Sequence, residues 1–498
     1  MKNQVQLTTY VDRLTGGGLQ DLSELLNGPM QGMFGGIHML PFFYPIDGTD
    51  AGFDPIDHTE VDQRLGDWED VAKLAETHDV MADIIVNHMS ARSPQFQDVL
   101  KQGDESSFGP LFLTMDSVFP KGATEEELLT IYRPRPGLPY SVMTLKDGSK
   151  RLFWTTFTSN QIDIDVLHPQ GEAYLDSILA TFHKAGVSIL RLDAAGYAIK
   201  KAGSSCFMIP ETYEFIADFT AKAQALGMKV LVEIHSYYKE QIEIAKRVDY
   251  VYDFALPPLI LHALFTQTAQ YLKKWLEISP RNAITVLDTH DGIGIIDVGP
   301  SGERPGLVPD SEIDLIVETI HERSKGQSRK ATGAAASNLD LYQVNCTYYD
   351  ALGRDDHLYL LARLMQFFAP GVPQVYYTGA LAEPNDMDLL AKTNVGRDIN
   401  RHYFAFGEAA AAINRPVVQQ LAGLMRFRNQ HPAFNGELIV VDSPTYELQL
   451  RWEKVNDFAE VSIDFQQMQF SLNYSQNGHT VRVENDWSQI GALQNQTQ

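Results

Sequence analysis

Cysteine is scarce in this chain: Cys206 and Cys346 are the two among 498 residues. Two distant thiols cannot frame a disulfide-stapled fold, and they fit a reducing compartment better than an oxidising one. Positive charge is also short. Lys and Arg number 40 against 64 Asp and Glu, a formal net charge of −24. A general nucleic-acid binder needs a basic face, so no nucleic-acid partner is expected. Long apolar runs are missing as well. None reaches the roughly 18 residues of a membrane-spanning helix, so no membrane partner is expected. The opening Met1-Lys-Asn-Gln-Val-Gln-Leu7 lacks the apolar stretch of a signal peptide. Together these features predict a cytoplasmic protein. Several signature loops are absent too: there is no Walker A phosphate loop and no G-x-S-x-G elbow. Gly292-Ile-Gly294-Ile-Ile-Asp-Val-Gly299 lacks dinucleotide spacing, and His321-Glu322 has no second His to complete a zinc motif. No cofactor and no metal are expected.

What is present is a series of short apolar runs that end in polar residues. They are Val5–Tyr10, Gly36–Phe42, Met81–His88, Val187–Asp193, Lys229–His235, Tyr250–Ala255, Ala283–Asp291 and Pro373–Tyr377. Continuous apolar runs of this length suit strands buried on both faces, as in parallel sheets. Helical stripes lie between them. Trp68, Val71, Leu74, Ala75 and His78 form one, with Asp67 and Asp70 placed to cap and charge its first turn. Stripes through Tyr174–Phe182 and Phe215–Leu226 stop at Gly186 and Gly227. Eight strands alternating with helices predict an α/β fold, a (β/α)8 TIM barrel. An open doubly wound sheet is the alternative, but its Gly-rich fingerprint is missing.

Two insertions break the alternation, and long insertions in a compact domain are usually functional. The expected organisation is a barrel from residues 1–88, 168–291 and 356–435, with inserted subdomains at 89–167 and 292–355. A C-terminal antiparallel β domain follows at 436–498. There the pattern changes to two-residue alternation through Leu448, Leu450 and Trp452, and Asn477-Gly478 is a strong hairpin turn.

Barrel enzymes place their chemistry at the C-terminal ends of the strands. Those ends supply Asp83, Asn87 and His88, then Arg191 and Asp193, Glu233 and His235, and His290 and Asp291. Arg191 and Asp193 are two apart and share a strand face, as do Glu233 and His235. A lone strand-end Asp is more often a cap or an ion-pair partner. Acids, Arg and His at the ends of several strands are hard to explain as capping. Glycoside cleavage with retention needs one carboxylate nucleophile and one protonated acid about 5–5.5 Å apart, and a third carboxylate can stabilise the oxocarbenium-like centre. Tyr376-Tyr377 reads as core, and His183 and His357 as structural or solvated.

These residues carry a resemblance. Asp83-Ile-Ile-Val-Asn-His88, Arg191-Leu-Asp193, Glu233 and Thr289-His290-Asp291 resemble the four short regions of the α-amylase family, glycoside hydrolase family 13. Over essentially the whole chain the likeness narrows to that family's sucrose-cleaving phosphorylases. The segments that narrow it are Pro41-Phe-Phe43, Asp47–Asp57, Ile131–Pro139, Asn338–Val344 and Gly396–His402. The resemblance implies Asp193 as nucleophile, Glu233 as acid and base, and Asp291 as transition-state stabiliser. Arg191 would keep Asp193 ionised. Asp50, His88, His290 and Arg397 would bind glucosyl hydroxyls, and Phe53 and Phe157 would face the sugar ring. Tyr132, Tyr197 and His235 complete the implied substrate-binding set. For the acceptor, Arg135 and Tyr342 would serve phosphate, while Asp340 and Gln343 would serve fructose. A modest shift of their loop would exchange an acid for a phenol. Small residues at Ala331–Ser337, just before it, fit a moving loop.

The implied small-molecule partners are sucrose and inorganic phosphate, with a homodimer as the family-like assembly. Enzymes acting on sucrose 6′-phosphate, glucosylglycerol or glucosylglycerate would share the catalytic residues and differ in the acceptor. A hydrolase would differ in preferring water. A transporter-associated ectodomain of this family would need an anchor and commonly lacks the acids.

Overall fold

Eight of the apolar runs become eight parallel strands, and each continues the hydrogen-bonded ladder of its neighbour until the sheet closes on itself. The computed structural model describes residues 1–134, 137–334 and 343–492. The barrel strands are β1 (Gln6–Thr9), β2 (Gly36–Met39), β3 (Asp79–Ile85), β4 (Ile189–Asp193), β5 (Lys229–Val232), β6 (Tyr250–Asp253), β7 (Ala283–Thr285) and β8 (Val372–Tyr376). All eight pair in parallel, and β8 returns to β1 with Gln374 opposite Gln6. This is the expected (β/α)8 barrel.

The barrel interior is layered by the two-residue period of its strands. At the bottom Met81, Ile189, Leu231, Tyr252, Ile284 and Val372 form a closed apolar plug. Each buried aliphatic side chain there contributes about 1.5–3 kcal/mol. One step up β4, Arg191 pairs in register with Asp83 of β3, so two charged groups replace the apolar layer. One step further the strand ends at Asp193. Along a single strand the interior face therefore runs from aliphatic plug to guanidinium to carboxylate.

The helices follow their sequence signals. Asp67 caps the helix Trp68–Ala75, its side chain accepting from the N–H groups of Glu69 and Asp70. The helices Pro169–Lys184 and Pro210–Ala225 each stop before a glycine with positive φ, Gly186 and Gly227. Between β3 and β4 the chain adds a helix, Pro94–Gln102, and a hairpin pairing Tyr140–Thr144 with Lys150–Trp154. A short ribbon there also pairs His88–Ser90 with Gln161–Asp163. After β7 it adds a ribbon pairing Ile293–Gly294 with Gln343–Val344, and the helix Asp310–Arg323.

The C-terminal strands β9 (Glu437–Val441), β10 (Glu447–Lys454), β11 (Asp457–Asp464), β12 (Gln469–Gln476) and β13 (His479–Glu484) form an antiparallel meander. Asn477 and Gly478 both have positive φ, as a two-residue hairpin turn requires. The sheet is fastened to the barrel where Trp452 Nε1 donates to the Phe368 carbonyl at 2.9 Å. Tyr376 and Tyr377 are fully buried, as core residues. His357 is held between the Met468 carbonyl and Trp487 Nε1. Among the described residues no helix is long and apolar enough to cross a membrane.

Candidate active site

Arg191 is the hub of the barrel mouth. Its side chain is almost fully buried, and its guanidinium reaches three carboxylates. Nη1 lies 2.6 Å from Asp83 Oδ1 and 2.9 Å from Asp193 Oδ1, while Nη2 pairs with Glu233 Oε1. Asp83 is braced from β2, where His38 Nε2 lies 3.0 Å from Asp83 Oδ2. Burial would push the Asp83 carboxyl up, but His38 and Arg191 outweigh it and bring it down to about 2.

Arg191 acts on Asp193 in the expected direction, favouring the ionised form, but it is not the largest influence there. Burial is the largest influence and pushes its carboxyl well above the usual range. Arg191 opposes this, and the negative charges of Glu233, Asp83 and Asp50 add to it. The reason is stoichiometric: one guanidinium is divided among three carboxylates. The excess negative charge, held away from water, works against the ionised form of Asp193.

The third candidate carboxylate has its own cations. Arg397 Nη1 lies 2.9 Å from Asp291 Oδ1, and Arg401 Nη2 lies 3.5 Å from the same atom. Burial would raise Asp291, but Arg397, with His290 and Arg401, holds it well below the ordinary carboxylate range. Burial drives His290 the other way, well below the usual imidazole value. That ring stacks on Phe53 with centroids 5.0 Å apart. Arg401 Nε also fixes the His290 carbonyl at 2.8 Å.

Loops position the walls. The loop carrying Asp50 and Phe53 wraps around Asp54, whose carboxylate accepts from the N–H groups of Thr49 and Asp50. Gln161 Nε2 reaches Asp50 Oδ2 at 3.2 Å, and His88 Nε2 bonds the Phe53 carbonyl at 3.0 Å. Phe157 meets His88 and Tyr197 edge-on. Tyr132 stacks on Phe207, which also contacts Tyr197. These rings make an apolar lip beside the polar floor.

Asp193, Glu233, Asp291, Asp50, Phe53, His88, Tyr132, Phe157, Tyr197, His235, His290, Gln343 and Arg397 all line one cavity of about 390 Å3. That size is ordinary for a small-molecule site. Arg191 lies beneath its floor rather than in its wall. Arg135, Asp340 and Tyr342 fall outside the described residues, as does part of the Ala331–Ser337 stretch. The cavity also includes Arg133, Pro134, Gln161 and Phe207, which sequence reasoning passed over. Arg133 had a signal, being the other arginine of the Arg133-Pro-Arg-Pro segment; Phe207 sits in a loop, and Gln161 opens a three-residue strand too short to show a periodicity. Among the described residues no group of three or more His, Cys, Asp or Glu side chains is arranged to hold a metal ion.

A closed parallel barrel with clustered carboxylates at its C-terminal mouth defines a glycosidase-like protein of the α-amylase type. The catalytic-domain model of the alpha-amylase family matches residues 28–277. The chain is 60% identical to a sucrose phosphorylase of Agrobacterium vitis, covering 95% of this chain and 98% of the relative. It is 54% identical to a sucrose phosphorylase of Bifidobacterium adolescentis, over 91% of this chain and 90% of the relative. A crystal structure of sucrose 6F-phosphate phosphorylase from Thermoanaerobacter thermosaccharolyticum superposes with a TM-score of 0.89 at 38% identity, covering 97% of this chain and 98% of that one. The chain belongs to the α-amylase family, within its branch of glucoside phosphorylases.

Proposed function

We propose that this enzyme transfers the glucosyl group of sucrose to inorganic phosphate, giving α-D-glucose 1-phosphate and D-fructose. The observation that carries the reading is Asp193 and Glu233 held by one buried guanidinium at the floor of a sugar-sized cavity. The 60% identity to a sucrose phosphorylase supports the choice of substrate.

In the first step Asp193 attacks C1 of the glucosyl unit as the bond to the fructosyl oxygen breaks. Glu233 delivers its proton to that oxygen, and fructose leaves. The Arg191 guanidinium, 2.9 Å from Asp193, favours the anion that faces C1 as Glu233 gives up its proton. In the second step a phosphate oxygen attacks C1, the ester bond to Asp193 breaks, and Glu233 recovers a proton from the phosphate if one must leave. Two inversions give net retention. Asp291, kept ionised by Arg397 and Arg401, stabilises positive charge at C1 and holds hydroxyls. Asp50, His88, His290 and Arg397 bind the remaining glucosyl hydroxyls, and Phe53 and Phe157 pack on its faces. Arg135 and Tyr342 would serve phosphate, and Asp340 and Gln343 fructose.

A cytoplasmic setting completes the proposal, and two buried, unbridged cysteines fit it. A homodimer is tested by light scattering. The deciding assay is product analysis from sucrose with and without phosphate, beside sucrose 6′-phosphate, glucosylglycerol and glucosylglycerate. Phosphate-dependent glucose 1-phosphate from sucrose is the expected result. Glucose alone, at every phosphate concentration, would make the enzyme a hydrolase.

A further inference from the structure

His235 lies just beyond β5 and lines the cavity beside Glu233. Its ring lies flat on Phe254, centroids 3.8 Å apart and planes 13° from parallel. Nδ1 is 3.1 Å from Asp297 Oδ2, and Nε2 is 3.3 Å from Gln343 Nε2. Asp297 is completely buried, and its other oxygen accepts from Gln241 Nε2 at 2.9 Å. A carboxylate in that position needs a charged partner. Among the described residues, His235 is the ionisable group within hydrogen-bond distance of it.

The chain leaves room for this pair. A Cβ on Gly294 would fall 2.5 Å from Asp297 Oδ2 and 3.5 Å from the His235 ring. Gly294 is also the residue paired with Gln343 in the ribbon, so one short segment seats both neighbours of the imidazole. Among the described residues, the charged groups that act most strongly on His235 are Asp297 from the turn after the ribbon strand, Glu233 from its own segment, and Asp291 from the segment after β7. All three are acids. Phe254 and Gln343, from the other packed elements, are neutral. Burial disfavours the imidazolium, but Asp297 and then Glu233 and Asp291 outweigh it and raise His235 above its ordinary value.

We propose that Asp297 is a positioning residue that holds His235 by Nδ1 and makes its Nε2 edge a cationic contact for the incoming phosphate. The inference rests on the phosphorylase reading above and names a group that controls its acceptor step. A chain with net charge −24 repels an anion, so local cations must draw it in. With the ring neutral, Nε2 accepts from the Gln343 amide. With the ring protonated, Nε2 donates, and the facing amide must turn or give way to an anionic oxygen. Phosphate is an acceptor for that N–H; water and fructose carry no charge to reward it.

The test is Asp297→Asn, which keeps the side chain's shape and removes its charge. Two readouts are taken: the ratio of glucose 1-phosphate to glucose across a phosphate and pH titration, and the His235 titration by 15N-imidazole NMR, assigned with His235→Gln. The proposal expects the ratio to fall about tenfold or more, since a charge-assisted bond to phosphate is lost. It also expects the His235 midpoint to move down and the pH dependence of phosphate use to move with it. Gly294→Ala, whose methyl displaces Asp297 Oδ2, should give the same signature and replaces Asp297→Asn if that variant does not fold. A merely structural role would lower phosphorolysis and hydrolysis together and leave their ratio unchanged, which overturns the proposal. So does an unmoved His235 titration. Wild-type enzyme that makes no glucose 1-phosphate overturns the functional reading, and the phosphate role with it, while the titration still reports whether the pair exists.

Discussion

Lys200 Nζ lies 2.7 Å from Asp163 Oδ2, an ion pair in which neither side chain reaches solvent. The same ammonium bonds Asn87 Oδ1 at 2.7 Å and the Tyr197 carbonyl. Asp163 in turn takes the Thr156 N–H at 3.0 Å and the Thr156 hydroxyl. One cation thus joins the end of β3, the turn after β4 and the first insert. Because Asp163 is paired with His88 in the ribbon, it also fixes a wall of the active site.

Lys200→Met should therefore destabilise the protein by about 3–5 kcal/mol, because it leaves a buried carboxylate without its cation. Urea unfolding measures it. Adding Asp163→Asn should recover much of the loss by removing the stranded charge. A single variant with wild-type stability would show the pair to be dispensable.

The barrel was legible because strands buried on both faces write themselves as apolar runs, and their polar ends mark the active-site mouth. The same signal overreached at Ala283–Asp291. The strand stops at Thr285, and Val286 and Leu287 are apolar because they are buried, not because they are extended. Asp288 in that stretch takes the Tyr376 N–H and pairs with Arg363, a contact set by distant elements. His38 had a visible signal, a lone imidazole within an apolar strand, but its partner Asp83 is known only once the strands are in register. Asp297 and Gln161 sit on elements of three residues each, too short to leave a periodic signal, and their contacts arise from tertiary packing. The sequence names Arg191 as the neighbour of Asp193 but hides the two other carboxylates that share its guanidinium.

Arg397→Gln should weaken catalysis and also change its pH dependence. Arg397 is the strongest of the cations that depress Asp291. Without it the Asp291 carboxyl rises, so the acid limb of kcat/KM for sucrose moves to higher pH. The overall fall should be about 10- to 150-fold, the equivalent of one charged hydrogen bond worth roughly 1.5–3 kcal/mol. A uniform loss at every pH would leave Arg397 as a substrate contact without influence on Asp291.

Asp253 gives a stability prediction away from the chemistry. Burial pushes its carboxyl from 3.8 up to about 7, while its Oδ1 accepts from Leu256 N and Trp275 Nε1. The unfolded chain gives up this proton near pH 4, but the folded chain keeps it until about pH 7. Stability is lost as pH rises through that window, on the order of 4 kcal/mol by its upper end. Asp253→Asn retains an oxygen for both donors and cannot ionise. The difference in unfolding free energy between pH 5 and pH 8 should be smaller in the variant. An equal difference in both proteins would remove Asp253 as its source.

Glu233→Gln separates acid catalysis from everything else the pocket does. The amide keeps the shape of the side chain but has no proton to give the fructosyl oxygen. Sucrose has a poor leaving group and needs that proton, so its cleavage should fall by about 10²–10⁴-fold, the usual contribution of general acid catalysis. Glucosyl fluoride leaves without acid assistance and should form the glucosyl-enzyme far more readily than sucrose does in this variant. Asp193→Asn lacks the nucleophile and should be severely impaired on both substrates. The contrast between the two variants is the measurement, made as initial rates of fluoride and fructose release under identical conditions. Parallel losses on sucrose and glucosyl fluoride in Glu233→Gln would reassign Glu233 to holding Arg191 in place, since the same carboxylate pairs with that guanidinium.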